Sequence, residues 1–334
     1  MIPGRRRMAG LVAASGLAAL AACNTSMPPI SEAKAPVEAK AISAGPVSRA
    51  PVGAARATAP LQPSAQSREL AAYYARVQAD LLVRGLLRTD GGGPDTPFTD
   101  TMLIRDFQKI ALEDEFVRGE GLRPSAGGTT AIKKWTKPIR VAVEFGPRSP
   151  RSQVTGDRQA LTSYVARLAA ITGHPISMTR AEANFHVFFV SQDDTQFLTD
   201  RVRALVPDIG NSAIGLLERL PRGVHCLVFA FSNTREGYDY AQAIAVIRSE
   251  HPDLLRLSCI HEEVAQGLGL GNDDPRARPS IFNDDDEFAL LTTHDELLLK
   301  ILYDPRLRPG MTADEAMPIV RERATALMAG DGPG

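Results

Sequence analysis

Side chains that carry carboxylate or amide oxygens are concentrated in one short segment of the sequence, residues 258–273. The group comprises Glu262, Glu263, Gln266, Asn272 and Asp273. Glu262 and Gln266 are four residues apart, so on a helix they share one face and can hydrogen-bond to each other or hold a common ligand. Oxygen donors suit calcium or magnesium better than zinc, whose protein sites favour imidazole and thiolate. The nearby acidic run, residues 284–287, is expected to form a solvated loop.

The spacing of the same segment resembles the active-site helix of the metzincin metalloproteases, His-Glu-x-x-His-x-x-Gly-x-x-His. The matched positions are Glu262 (first zinc ligand), Glu263 (general base), Gln266 (second ligand), Gly269 (turn) and Asn272 (third ligand). The register that starts at His261 fits less well, because it puts Ala265 at a ligand position and Leu268 at the glycine. The resemblance therefore implies the frame of a zinc-protease site without its histidines.

The missing histidines predict that tight zinc binding is absent, because amide groups are weak zinc ligands. A general base without a metal-bound water has no nucleophile to activate. The sequence therefore leaves enzyme activity open but favours a protein without it. If the protein is an active metallopeptidase, Glu263 is its expected catalytic residue. The residues favour no bound metal or other cofactor. An oxygen-ligated ion such as calcium stays open, as does a relocated zinc site that uses His261, His294 and a carboxylate.

Two motifs after this segment extend the resemblance. Ser280-Ile281-Phe282 stands where metzincins have Ser-Ile-Met beneath the metal, and Leu291-Thr292-x-x-Asp295 opens a predicted helix that ends in Leu302-Tyr303-Asp304. Many metzincins follow their turn with a similar helix. His261 is expected to pack beside the site, and a helix-cap or surface role is favoured for His294.

Hydrophobic periodicity predicts an α/β fold of the α+β kind with one long helix. The resemblance to metzincins implies a zincin-like mixed sheet and an active-site-type helix. The predicted helices are 67–87, 101–114, 157–171, 194–205 and one from about 252; the predicted strands are 139–145, 184–190, 224–231 and 241–247. The linker 232–240 suits a hairpin. The resemblance to metzincins covers about residues 139–304.

The first residues have the layout of a bacterial lipoprotein signal peptide, in which a basic Arg5–Arg7 run precedes an apolar stretch. Leu20-Ala21-Ala22-Cys23 resembles a lipobox, which implies cleavage before Cys23 and acylation of this cysteine. Several acyl chains together anchor a protein stably. We therefore expect a lipid-anchored envelope protein that faces the periplasm. Asn24 favours the outer membrane, because an aspartate at this position commonly retains lipoproteins in the inner one.

Four segments are expected along the chain. They are a signal peptide (1–22), the lipid anchor with a disordered Ala/Pro-rich linker (23–66), a helical N-terminal extension (67–135) and the degenerate metzincin-like domain (136–334). The net charge of −1 gives no electrostatic footprint for nucleic acid, so the expected partners are the membrane and a peptide or envelope protein.

Apart from Cys23, the sequence has two cysteines, Cys226 and Cys259. An even number of cysteines in an oxidising periplasm predicts a disulfide between them. Two buried free thiols are the alternative.

The lipobox, the helical N-terminal segment, Cys-Ile-His-Glu-Glu (259–263) and Leu-Tyr-Asp-Pro-Arg-Leu-x-Pro-Gly-Met (302–311) together resemble a proteobacterial family of proposed lipoproteins of unknown function. The resemblance implies location and fold, but no activity. Three functions stay open: a pseudoenzyme that binds a peptide or envelope partner in the former substrate cleft, a metallopeptidase with non-standard ligands, and a structural lipoprotein with a vestigial cleft. The sequence favours the first.

Overall fold

The computed structural model describes residues 62–116, 123–234 and 237–330, together with the backbone of 19–21. The strands are β1 Ala19–Ala21, β2 Ile139–Phe145, β3 Ile176–Met178, β4 Phe185–Val190, β5 Cys226–Ser232 and β6 Tyr240–Arg248. The helices are α1 Ala65–Val83, α2 Asp100–Leu112, α3 Arg151–Thr172, α4 Thr195–Leu205, α5 Asn211–Glu218, α6 Asp253–Gln266, α7 Thr293–Leu302 and α8 Ala313–Met328.

The strands form one mixed sheet in the order β1-β5-β6-β4-β2-β3. Neighbouring strands are parallel except β5 and β6, which are antiparallel and form the predicted hairpin. β4 and β5 are buried along their whole length, as expected for strands that helices cover on both faces. The mixed sheet and its helices confirm the α+β prediction.

Helices cover both faces of the sheet with apolar side chains. The larger core cluster joins β2 and β4 to α2, α3, α6, α7 and α8, and includes Phe107, Val141, Leu161, Val264, Leu298 and Val320. A second cluster packs α4 and α5 on the other face through Leu198, Leu217, Phe188 and Phe229. α2 falls within the predicted N-terminal extension, yet its apolar face belongs to the larger core.

The predicted limits of β2 agree with the structure, whereas those of several helices do not. α1 ends at Val83 rather than at residue 87, because Gly85 (φ 76°) and Leu87 (φ 58°) adopt left-handed conformations. α3 begins at Arg151 instead of residue 157, since its polar first turn carries no apolar periodicity. The sequence analysis also missed the three-residue β3, the short α5 and the C-terminal helix α8.

The predicted signal peptide, Cys23 and most of the linker lie outside the described residues, apart from the backbone of 19–21. Where the structure describes the chain, it contains no helix with the length and apolar character needed to cross a membrane.

Candidate functional site

A disulfide fixes α6 against the sheet. Cys226, the first residue of β5, is bonded to Cys259 on α6, with their Cα atoms 5.9 Å apart, which confirms the predicted pairing. α6 follows Pro252 and packs against α3, β5 and β6. The bond therefore holds the C-terminal half of α6, with Glu262 and Glu263, beside the start of β5.

Gly269 turns the chain after α6, at the position that the sequence assigned to a turn. Its φ of 126° is one that other residues rarely adopt, and a Cβ atom here would collide with the carbonyl oxygen of Lys133. The turn brings Asn272 to the end of α2. There the backbone N–H of Asn272 donates to Ile110 (3.1 Å) and its side-chain amide donates to the carbonyl oxygen of Lys109 (2.9 Å).

The structure groups five carboxyl side chains, which we call the acidic cluster. Its members are Glu115, Glu262, Glu263, Asp273 and Asp284, which interact electrostatically with one another. Carboxylate oxygens of Glu262 and Glu263 approach each other within 4.8 Å, near the Cys226 sulfur. Because that sulfur is in the disulfide, it cannot act as a thiolate ligand.

Several oxygens in and around the acidic cluster have no hydrogen-bond partner among the described residues. Glu263 is fully buried and both of its carboxylate oxygens are unpartnered, as are both oxygens of Glu115 and one oxygen of Asp273. Gln266 is fully buried as well. Its amide nitrogen donates to Asp273 at 3.5 Å, while its carbonyl oxygen is left without a partner.

Burial raises the pKa of every carboxyl in the acidic cluster, and the neighbouring carboxylates raise it further. The pKa of Glu263 lies well above its ordinary value because of burial and the nearby Asp273. The pKa values of Glu115 and Asp284 rise to about 11 and about 6. No ion pair between two described residues includes a member of the cluster. The raised pKa values show that the folded cluster favours bound protons or an added cation over ionised, unpaired carboxylates.

The turn formed by Ser280, Ile281 and Phe282 places the following acidic run against α6. Asp295 on α7 accepts hydrogen bonds from the Ser280 hydroxyl (2.6 Å) and from the Ile281 backbone (3.1 Å), and Phe282 is fully buried. A cavity of about 30 Å³ lies between the turn and α6, lined among others by Ser258, Glu262, Asn283, Asp284 and Asp286.

His261 and His294 contact residues outside the acidic cluster. His261 stacks on Tyr164 with ring centroids 4.0 Å apart, and its Nδ1 accepts a hydrogen bond from the Leu291 backbone (3.0 Å). Burial lowers the pKa of His261 to about 3. The cap or surface role favoured for His294 is wrong: the side chain is fully buried, with Nε2 3.1 Å from Asp106. His294 packs between α7 and α2, and no spacing pattern in the sequence predicts this contact.

The donor set does not fit zinc. The position matched to the third ligand, Asn272, is engaged with Lys109, and the imidazole rings of His261 and His294 contact Tyr164 and Asp106 rather than the cluster. The remaining donors, from Glu262 and Gln266, are oxygens that zinc uses only alongside stronger ligands. Neither His261 nor His294 therefore contacts Glu263, the residue matched to the general base; His225 lines the neighbouring cavity with Glu262.

Sequence reasoning missed part of the acidic cluster. Glu115 follows α2 and is far in sequence from residues 258–273. Only folding brings it near Asp273. Asp284 is exposed in a loop, as expected, but it also lines the cavity with Glu262. The four-acid run at 284–287 was the one sequence signal that could have suggested this contact.

The fold and the cluster define an α+β protein with a disulfide-anchored helix and a group of neighbouring acids around the fully buried Glu263. The chain belongs to the family described as Protein of unknown function (DUF2927), whose match covers residues 100–322. Neither a curated protein nor a solved structure matches the chain. The match begins at α2 and includes Glu115, α6 and the turn at Ser280.

Proposed function

We propose that the protein is a lipid-anchored cell-envelope protein whose zincin-like domain binds a peptide or an envelope partner and does not cut it. One observation carries the proposal. The positions that correspond to zinc ligands hold Glu262, Gln266 and Asn272, and the Asn272 amide is committed to Lys109. Without a metal-bound water, Glu263 has no nucleophile to activate.

The zincin-like assignment is supported by the order and spacing of the elements. β2, the long helix α3, β4, the β5–β6 hairpin and α6 follow one another as the resemblance to metzincins implied. The turn at 280–282 and the capped α7 come next, and Thr292 and Asp295 form the capping box at the start of that helix. A fold supports many functions, so the proposal rests on the site rather than on this order.

A peptide would bind along the outer edge of β5. An extended peptide can add to a sheet edge through backbone hydrogen bonds, and this mode needs no metal. Within this chain, β1 pairs in parallel with Leu227–Phe229 at that edge, so the edge accepts an added strand. Cleavage before Cys23 would remove β1 and free the edge beside α6.

Lipid anchoring is supported by the N-terminal sequence. The basic Arg5–Arg7 run, the apolar stretch and the Leu20–Cys23 lipobox imply an acylated Cys23. In this arrangement residues 24–61 would separate the domain from the membrane, which leaves the β5 edge accessible to an envelope partner.

A two-part experiment tests the proposal on the mature protein that begins at Cys23, purified from membranes in detergent, because uncleaved β1 would occupy the β5 edge. The first part incubates wild-type protein and Glu263→Gln with unfolded casein, with and without added zinc; we expect no cleavage by either. Cleavage that Glu263→Gln abolishes would instead establish the metallopeptidase alternative.

The second part measures amide hydrogen exchange with an added pool of periplasmic peptides. We expect slower exchange at residues 226–232 than in the peptide-free protein. Unchanged exchange along β5 would contradict strand addition and favour the structural lipoprotein with a vestigial cleft.

A further inference from the structure

We propose that the acidic cluster is a binding site for a hard divalent cation, calcium before magnesium, which carboxylate and amide oxygens coordinate. The site uses Glu262 and Glu263 of α6, Asp273 from the loop after it, Asp284 from the acidic run and the carbonyl oxygen of Gln266. Glu115 contributes charge from the end of α2. This inference does not depend on peptide binding.

Unpartnered buried oxygens point to a missing ligand. Glu263 and Gln266 are both fully buried, and three of their oxygens have no hydrogen-bond partner among the described residues. Buried polar atoms in native proteins are almost always partnered by protein, water or an ion. A cation between α6 and Asp273 would satisfy these oxygens together.

The charge of the cluster has the sign and density that a cation site requires. The nearby carboxylates of four acids each raise the pKa of Glu115: Asp273, Asp284, Glu263 and Glu262. The ion pairs between described residues leave these acids out; for example, Arg276 pairs with Asp274 rather than with Asp273. Unpaired charges in a protein interior cost several kcal/mol, and a divalent cation removes that cost.

The size of the cavity favours an ion over a basic side chain. Glu262, Asp284 and Asp286 line this cavity, which has a volume of about 30 Å³; His225 also lines it, whereas Glu263, Gln266 and Asp273 do not. A single water needs about 10–15 Å³, so the space holds about two waters or one ion that has shed most of its hydration, but no guanidinium group. The proposed donors are all oxygens, which favours a hard cation over zinc.

The bound cation would join separate segments of the chain. The donors come from α6, the loop at 273 and the turn at 284, and Glu115 extends the cluster to α2. Glu262 and Glu263 lie beside Cys226 at the start of β5. Calcium binding would therefore stabilise the region next to the β5 edge.

Titration of the chelator-treated full-length chain tests the inference. CaCl2, MgCl2 and ZnCl2 are added separately, and isothermal calorimetry and thermal unfolding are recorded. We expect one calcium per chain, an increase in Tm with calcium, and weaker binding of magnesium. Glu263→Gln and Asp273→Asn should each weaken calcium binding by about tenfold or more, since even residues behind the ligands affect affinity by that factor.

Asp274→Asn is the matched control. Asp274 is the neighbour of Asp273 in sequence, but its carboxylate pairs with the exposed Arg276 at 3.0 Å. Calcium affinity should be unchanged in this variant. Equal losses in Asp273→Asn and Asp274→Asn would overturn the proposed ligand set.

Two other results would overturn the inference. The first is no binding heat and no change in Tm with about 10 mM calcium or magnesium, well above the range of weak extracellular calcium sites. The second is binding of zinc in preference to calcium, which would favour the metallopeptidase. Calcium binding without exchange protection of β5 would retain this site and reject only the peptide-binding proposal.

Discussion

Gln266 donates its side-chain N–H to a carboxylate oxygen of Asp273 at 3.5 Å, across the turn that ends α6. This contact orients the Gln266 carbonyl oxygen, which has no partner among the described residues. One oxygen of each side chain is left without a partner among the described residues. Oxygen donors of this kind suit a hard cation such as calcium.

Glu263→Gln should change stability in opposite directions with and without calcium. In chelator at pH 8, the variant should be more stable than the wild type by about 1–3 kcal/mol. Burial raises the pKa of Glu263 in the folded state, so at this pH folding of the wild type must either bury a charge or take up a proton, and glutamine needs neither. With calcium the wild type should be the more stable protein, because only it binds the ion tightly. Urea unfolding in the two buffers measures both differences; the same sign in both buffers contradicts the prediction.

Gly269→Ala should destabilise the domain by more than about 2 kcal/mol, since it adds a steric collision to an unfavourable φ. The collision is with the Lys133 carbonyl oxygen. Gly128→Ala is the control, because Gly128 has a similar φ of 120° but nothing within 4 Å of an added Cβ. Thermal unfolding of the two variants should differ clearly, and equal losses would mean that the close approach to Lys133 is unimportant.

Removing the disulfide should lower the free energy of unfolding by about 3–4 kcal/mol. The bond joins cysteines that are 33 residues apart and holds α6 against β5. The double variant Cys226→Ala/Cys259→Ala, compared with the oxidised wild type by urea unfolding, checks the value. A loss below about 1 kcal/mol would show that the sheet and α6 stay together without the bond.

Stability should fall as the pH drops from about 6.5 towards 4, in part because of His225. Burial lowers the pKa of His225 to about 4, next to Arg248, Tyr74 and His251. The unfolded state, with a histidine pKa near 6.5, then binds more protons than the folded state in this range, so acid favours unfolding. His225→Gln should reduce the slope of unfolding free energy against pH by roughly 1 kcal/mol per pH unit. An unchanged slope would show that other groups control acid unfolding.

Cys23→Ser should release the protein from membranes if Cys23 carries the lipid anchor. Asn24→Asp should leave it membrane-bound but move it to the inner membrane. Fractionation of cells that express each variant, followed by immunoblotting, measures both outcomes. Cys23→Ser protein that still sediments with membranes would contradict the proposed anchor.

The sequence predicted those parts of the fold that depend on local patterns. β2 alternates apolar and polar residues, and α6 and the capped α7 carry their own start signals, so these elements lie close to where they were expected. The disulfide followed from cysteine counting and compartment. The three-residue β3 and the short α5 lack a strong local pattern.

The acidic cluster was only partly predictable, because it depends on tertiary contacts. Glu262, Glu263 and Asp273 lie within one segment, and their proximity follows from the helix and the glycine turn. Glu115 and Asp284 reach the cluster through the packing of α2 and the turn at Ser280, which spacing does not encode. The same is true of the buried contact between His294 and Asp106.

Metal content of the protein, purified from membranes without chelator and measured by mass spectrometry, distinguishes a calcium site from a zinc site. We expect calcium at close to one ion per chain and no stoichiometric zinc. Near-equimolar zinc would contradict this expectation, because a zinc site would restore the bound water that Glu263 needs to act as a general base.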